Sequence, residues 1–82
     1  MNKIYAVVKE VRFDLEAEFD IQAFDTLGKA EKYLQEACDQ YRKDAIEDEW
    51  EIEEDRPNQF AAYEEGRECE NHYYFTIYEL TA

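Results

Sequence analysis

The sequence predicts an α+β fold: one antiparallel sheet of four or five strands with a single long helix packed on one face, in the order ββαββ or ββαβββ. Three observations carry this. Ala17, Phe19, Ile21 and Ala23 alternate with Glu16, Glu18, Asp20 and Gln22, which is the period of a strand. From Leu27 to Ala45 the apolar residues recur at spacings of three and four, the period of a helix. Residues 72–80 return to alternation, with Tyr73, Phe75 and Ile77 on one face and Tyr74, Tyr78 and Leu80 on the other.

The elements follow in order. Residues 3–13 are β-rich, with Ile4, Ala6 and Val8 in one phase and Tyr5, Val7, Val11 and Phe13 in the other. Asp14, Leu15 and Glu16 form a connection to the second strand, which makes the first two segments an antiparallel hairpin. The second strand reads as having one buried, apolar face and one wet face. Asp25 and Thr26 both suit a helix N-cap, and the period changes immediately after them. Leu27, Ala30, Leu34, Ala37, Cys38, Tyr41 and Ala45 form the inner stripe of a helix of roughly 18 residues. On its outer face Lys32 can pair with Glu36 and Asp39 with Lys43, each worth a few tenths of a kcal/mol at i,i+4 spacing. Trp50 and Ile52, alternating with Glu49, Glu51 and Glu53, suggest a short strand. Asp55-Arg56-Pro57-Asn58 is turn chemistry, Phe60–Tyr63 a further short strand, and Glu64-Glu65-Gly66 a turn or bulge. One helix covers one face of such a sheet. Because the last strand is apolar on both faces, its second face is left for a partner.

Length and charge bound the function. Eighty-two residues make one small α+β domain, 1–82, with a thin core. Nine basic residues stand against 22 acidic ones, for a formal charge of −13. Residues 1–43 hold 7 basic and 9 acidic side chains, net −2, and residues 44–82 hold 2 and 13, net −11. That balance argues against direct binding of nucleic acid or an anionic membrane, both of which need cations to meet phosphates. There is no serine, so no Ser-His-Asp nucleophile, and one histidine, so no two-histidine metal site. Two glycines give no glycine-rich phosphate loop. The longest apolar run, Ile4–Val8, is far short of the ~20 residues that span a bilayer. The N-terminal stretch does not read as a signal peptide, so the expected compartment is the cytoplasm, with Cys38 and Cys69 reduced.

The most unusual feature is the acidic run Glu47, Asp48, Glu49, Glu51, Glu53, Glu54 and Asp55. In a strand, Glu49, Glu51 and Glu53 stand ~6.6 Å apart on one face, and Glu16, Glu18 and Asp20 form a second such row. Rows of this kind imitate a phosphate array and attract a basic groove. The plainer reading is a solvated edge whose like charges discourage aggregation. Cys69 and His72 have the C-x-x-H spacing of two zinc ligands, but no second pair completes a site. The default places Cys69 in a loop and His72, locally hydrogen-bonded, at a strand start. Tyr63, Tyr73, Tyr74 and Tyr78 serve either as a binding surface or as core. The sequence indicates no catalytic, cofactor-binding or metal-binding residue.

Two stretches carry a resemblance. Phe24-Asp25-Thr26 runs into Lys29-Ala30-Glu31-Lys32-Tyr33-Leu34, and Phe60-x-x-Tyr63-Glu64-x-Gly66 is followed by Asn71-His72-Tyr73 and a closing strand. Together they resemble small acidic proteins of phages, prophages and mobile elements, a group with anti-CRISPR-like members. The resemblance implies a protein that blocks host defence or transcription machinery, and it brings no catalytic residues. The expected function is therefore a non-catalytic acidic module that binds a basic protein surface. In its concrete form it is an inhibitor occupying the nucleic-acid groove of a DNA- or RNA-binding host protein such as a CRISPR effector. The contacts fall to the acids of 47–55, with Trp50 as an apolar anchor if exposed, although a lone tryptophan suits the core. The alternative is a homodimeric accessory protein, paired through its last strand or open sheet face, whose acidity serves solubility.

Overall fold

The computed structural model describes residues 3–14 and 16–81. Its elements are β1 (Lys3–Phe13), β2 (Glu16–Phe24), α1 (Leu27–Glu47), β3 (Glu51–Arg56), β4 (Gln59–Tyr63) and β5 (His72–Thr81). The fold is the expected α+β arrangement in the order ββαβββ. The five strands make one antiparallel sheet in the spatial order β2-β1-β5-β4-β3. The chain thus leaves one edge of the sheet through α1, re-enters at the other edge, and finally slots β5 between β1 and β4. Of the predicted connection between β1 and β2, Asp14 adopts a left-handed turn conformation (φ 49°), and Leu15 lies outside the described residues.

Thr26, rather than Asp25, caps α1: it is extended (φ −134°, ψ 150°) and its hydroxyl accepts from the Lys29 amide at 3.2 Å. Asp25 instead pairs with Lys29 Nζ at 3.0 Å. Of the two expected helix pairs, Asp39–Lys43 forms at 3.5 Å, and Lys32–Glu36 is not among the ion pairs of the described residues. The inner stripe is as read for Ala30, Leu34, Cys38 and Ala45, all fully buried, whereas Leu27 is exposed. At its far end α1 closes in a Schellman motif. Trp50 N–H donates to the Ala45 carbonyl (2.8 Å) and Glu49 N–H to that of Ile46 (3.2 Å), with Glu49 left-handed at φ 58°.

The core lies between α1 and one sheet face, where Val7, Val11, Phe60, Ala62, Tyr73 and Phe75 meet the helix stripe. An aromatic column closes it beneath the end of α1. Trp50 stacks on Tyr73 (4.6 Å) and on Phe13 (6.2 Å), and Tyr41 packs on Tyr73 (4.9 Å) and Phe75 (5.5 Å). Trp50 is therefore a half-buried packing residue and not an exposed anchor.

The buried face expected for β2 is corrected. Phe19 and Ile21 are 62% and 65% exposed. The pairings Val7↔Gln22 and Val11↔Glu18 put the polar row on the helix side of the sheet, and Val8↔Ile21 puts the apolar row on the opposite face. The helix packs over β5, β1 and β4 and meets this edge strand where Phe24 packs on Tyr33 (5.2 Å), while Glu16, Glu18 and Gln22 on the helix side and Phe19 and Ile21 on the other stay exposed.

Candidate acidic interface

The seven acids of the run do not form one row. Glu47 ends α1, Asp48 is its C-cap and Glu49 sits in the left-handed turn; all three are exposed. A bulge between Ile52 and Glu54 then breaks the alternation of β3, so Glu51, opposite Tyr63, and Glu54, opposite Ala61, face away from the helix. Glu53 is the extra residue. The expected row Glu49, Glu51, Glu53 is thus overturned by one bulge and one turn. Two of the acids also have partners. Asp55 takes a bidentate contact from Arg42 on α1 (2.9 Å to each oxygen), and Glu54 accepts a single hydrogen bond from Arg56 Nε (2.6 Å), which lowers the Glu54 carboxyl.

The second row does form: Glu16, Glu18 and Asp20 stand on the helix-side face of β2 opposite Phe13, Val11 and Lys9. Its neighbours come from elsewhere in the chain. A groove of about 410 Å³ runs between β2 and the end of α1, lined by Glu16, Glu18, Asp44 and Asp48 over Val11, Phe13, Tyr41 and Tyr73. Lys9, next along β1 on the same face, is bound to Glu18 at 2.9 Å and lies over the Tyr41 ring. Burial lowers the Lys9 ammonium, but the Glu18 hydrogen bond and the neighbouring Tyr41 outweigh this and raise it. The Tyr73 phenol is pushed up to about 12, first by burial and then by Asp44 and Asp48. Tyr63 and Tyr74 are raised in the same way, by burial and then by Glu53 among other carboxylates.

The register explains why so many acids meet. Ala17, Arg12, His72, Tyr63 and Glu51 are successive neighbours across all five strands, so the start of β2, the end of β1, the start of β5, the end of β4 and the start of β3 share one end of the sheet. The close of α1 and the 64–71 loop lie at that same end. Glu16, Glu18, Asp44, Glu47, Asp48, Glu49, Glu51, Glu64, Glu65, Glu68 and Glu70 therefore gather there. Of the basic residues at this end, Arg67 is tied to Glu70 at 2.7 Å. Sequence reading missed Asp44 and the loop acids; the net charge of −11 in the second half was the one signal for them.

The loop is held in place by a polar lock. Asn71, buried, donates to Glu64 (2.7 Å) and accepts from the Asp14 amide (3.0 Å). Gly66 takes the left-handed φ of 86° that the turn requires. His72 opens β5, with Nδ1 2.7 Å from the Glu68 carbonyl and Nε2 2.6 Å from Glu10, and its ring stacks on Tyr74. Both cysteines are free, Cys38 buried and Cys69 exposed in the loop. Among the described residues no cluster of three His, Cys, Asp or Glu is placed to hold a metal ion, and no helix is long and apolar enough to cross a membrane.

The sheet face opposite α1 is divided. Towards β2 it is apolar: Ile21 and Ala23 of β2 lie beside Val8 and Ala6 of β1, Phe19 stands opposite Glu10, and Ala6 and Ile4 continue the patch into Tyr78 and Leu80 of β5. Towards β3 it is acidic, around a concavity of about 340 Å³ lined by Glu10, Glu53, Glu54, Tyr74 and Tyr78. Of the tyrosines whose place the sequence left open, Tyr73 lies in the core and Tyr78, 53% exposed, on a free face.

No family model matches this chain, and no curated protein or solved structure matches it with significance, so its function is argued from this geometry.

Proposed function

We propose that the chain is a non-catalytic binding module whose acidic end engages the basic surface of a nucleic-acid-binding protein and occupies its phosphate-binding groove, as an inhibitor of a CRISPR effector would. One observation supports this above the rest: the fold draws carboxylates from β2, the close of α1, the start of β3 and the 64–71 loop to one end of the molecule, with little cationic compensation. Electrostatic steering by such a surface raises association rates by roughly 10–10³-fold, most strongly at low salt. The groove between β2 and α1 adds aromatic floor to carboxylate wall, which suits the aliphatic stem and charged head of a Lys or Arg side chain.

The test is capture from host lysate on tagged protein at about 50 mM and about 500 mM salt, beside a variant with Glu16, Asp44, Asp48 and Glu51 changed to Gln, Asn, Asn and Gln. The expected result is a discrete nucleic-acid-binding protein, held at low salt, released at high salt or by added duplex DNA, and lost with the variant. Scattered basic proteins retained equally by both forms would sink the reading and leave the acids as a solvated surface.

A further inference from the structure

The sheet face opposite α1 has no cover within the chain: Phe19, Ile21, Tyr78 and Leu80 are each more than half exposed, and Ile4 and Val8 lie between them on β1. An apolar patch spanning three strands loses its hydration only against another apolar surface. Its border determines which. Towards β3 the patch is flanked by Glu10, which stands opposite Phe19, and by Glu53 and Glu54; Glu10 and Glu54 have partners within the chain, His72 and Arg56. A second copy would bring the same carboxylates and another formal charge of −13 to this border. A cover with apolar residues at its centre and Lys or Arg along one flank meets both halves of the face. Three strands at ~4.8 Å spacing are about as wide as one helix of ~10 Å diameter.

From this complementarity we propose that the open face is a docking surface for a cationic amphipathic helix of a partner protein, its apolar stripe seated on Phe19, Ile21, Val8 and Tyr78 and its basic flank against Glu53 and Glu54. The proposal rests on the reading of the chain as a module for basic proteins, and it names the part of such a partner that the sheet takes. It also accounts for the alternation of β2, whose apolar row otherwise faces water.

The test uses three labelled peptides of about five helical turns: a Leu/Lys amphipathic helix, the same composition permuted to abolish the stripe, and the helix with Glu replacing Lys. Binding is followed by fluorescence anisotropy and by backbone amide shifts of the protein, and oligomeric state by sedimentation. The expected result is saturable binding of the Leu/Lys helix, with shifts centred on Val8, Phe19, Ile21 and Tyr78. The other two peptides should bind at least about tenfold more weakly, and a Phe19→Ser, Ile21→Thr double variant should lose affinity by about tenfold or more. Both positions are exposed, so an unchanged melting curve certifies the variant's fold. Equal binding of the permuted peptide, or shifts confined to Glu16, Asp44 and Asp48, would overturn the docking surface while leaving the acidic end as the binding site. So would a wild-type dimer that the double variant converts to monomer, which gives the face to a second copy. Absence of saturable binding to a monomer overturns it as well. Failure of the acidic-end reading shows separately, as lysate capture indifferent to its Gln and Asn substitutions.

Discussion

Tyr73 concentrates the tension between packing and charge in a single side chain. Its ring is the centre of the aromatic column, 4.6 Å from Trp50 and 4.9 Å from Tyr41, and the residue is only 6% exposed. Its hydroxyl lies towards Asp44 and Asp48, and burial, reinforced by those carboxylates, raises the phenol from 10.0 to about 12. The native state therefore holds this proton more tightly than the unfolded chain does. That contribution to stability is fully present below pH 10 and is lost as pH rises through about 12. Melting temperature should accordingly fall steeply over this interval, together with the rise of tyrosinate absorbance. Tyr73→Phe keeps the ring and removes the proton, so its alkaline loss should be shallower at a near-native melting temperature at pH 7. An equally steep loss in the variant would place the alkaline weakness elsewhere.

At the scale of elements, the close of α1 stores avoidable strain. Glu49 occupies the Schellman position with φ 58°, where a β-carbon is disfavoured and glycine is the usual residue. Glu49→Gly should raise stability by about 1 kcal/mol, less the extra entropy glycine gives the unfolded chain. Urea denaturation measures this directly, and a clear destabilisation would mean that the Glu49 side chain holds the turn. The same elements show what sequence can reveal. The stripe from Ala30 to Ala45, the Thr26 cap and the alternation of β5 are local patterns with local causes, and they were legible. The covered side of β2 was not. Period two says that two faces differ, but which face is buried depends on how far α1 extends sideways, and β5 settles that by entering between β1 and β4. The bulge in β3 was equally hidden, because one extra residue reverses every face after it. The acidic run was visible as composition. The Arg42–Asp55 contact and the meeting of Glu16 and Glu18 with Asp44 and Asp48 were not, because each depends on chain segments brought together only by the sheet.

Over the whole molecule the carboxylate excess sits at one end. Lys3, Lys29 and Lys32 lie with Asp25, Glu31 and Glu79 towards the end where β1 begins and α1 starts, and the crowded carboxylates lie at the other, where Arg12, Lys43 and Arg67 are outnumbered. Several ion pairs are formed by exposed side chains, such as Lys3–Glu79 and Arg67–Glu70, and pairs of that kind contribute about 0–1 kcal/mol each. Against them stands repulsion among the acids at one end, where Glu47, Glu49 and Glu65 form no ion pair among the described residues. Salt screens both terms over about 10 Å at 0.1 M, so the sign of the salt effect reports which is larger. With a formal charge of −13, repulsion dominates, and melting temperature should rise as salt increases from about 20 mM to about 500 mM. Changing Glu47, Glu49 and Glu65 to Gln should raise the melting temperature at the lowest salt and flatten its dependence on salt. Because those positions are exposed and lie away from the core, the gain would be electrostatic and not a repacking effect. A wild-type melting temperature that falls with salt would show instead that the ion pairs outweigh the repulsion. The acidic end would then be a neutralised network, with less free field to offer a basic partner.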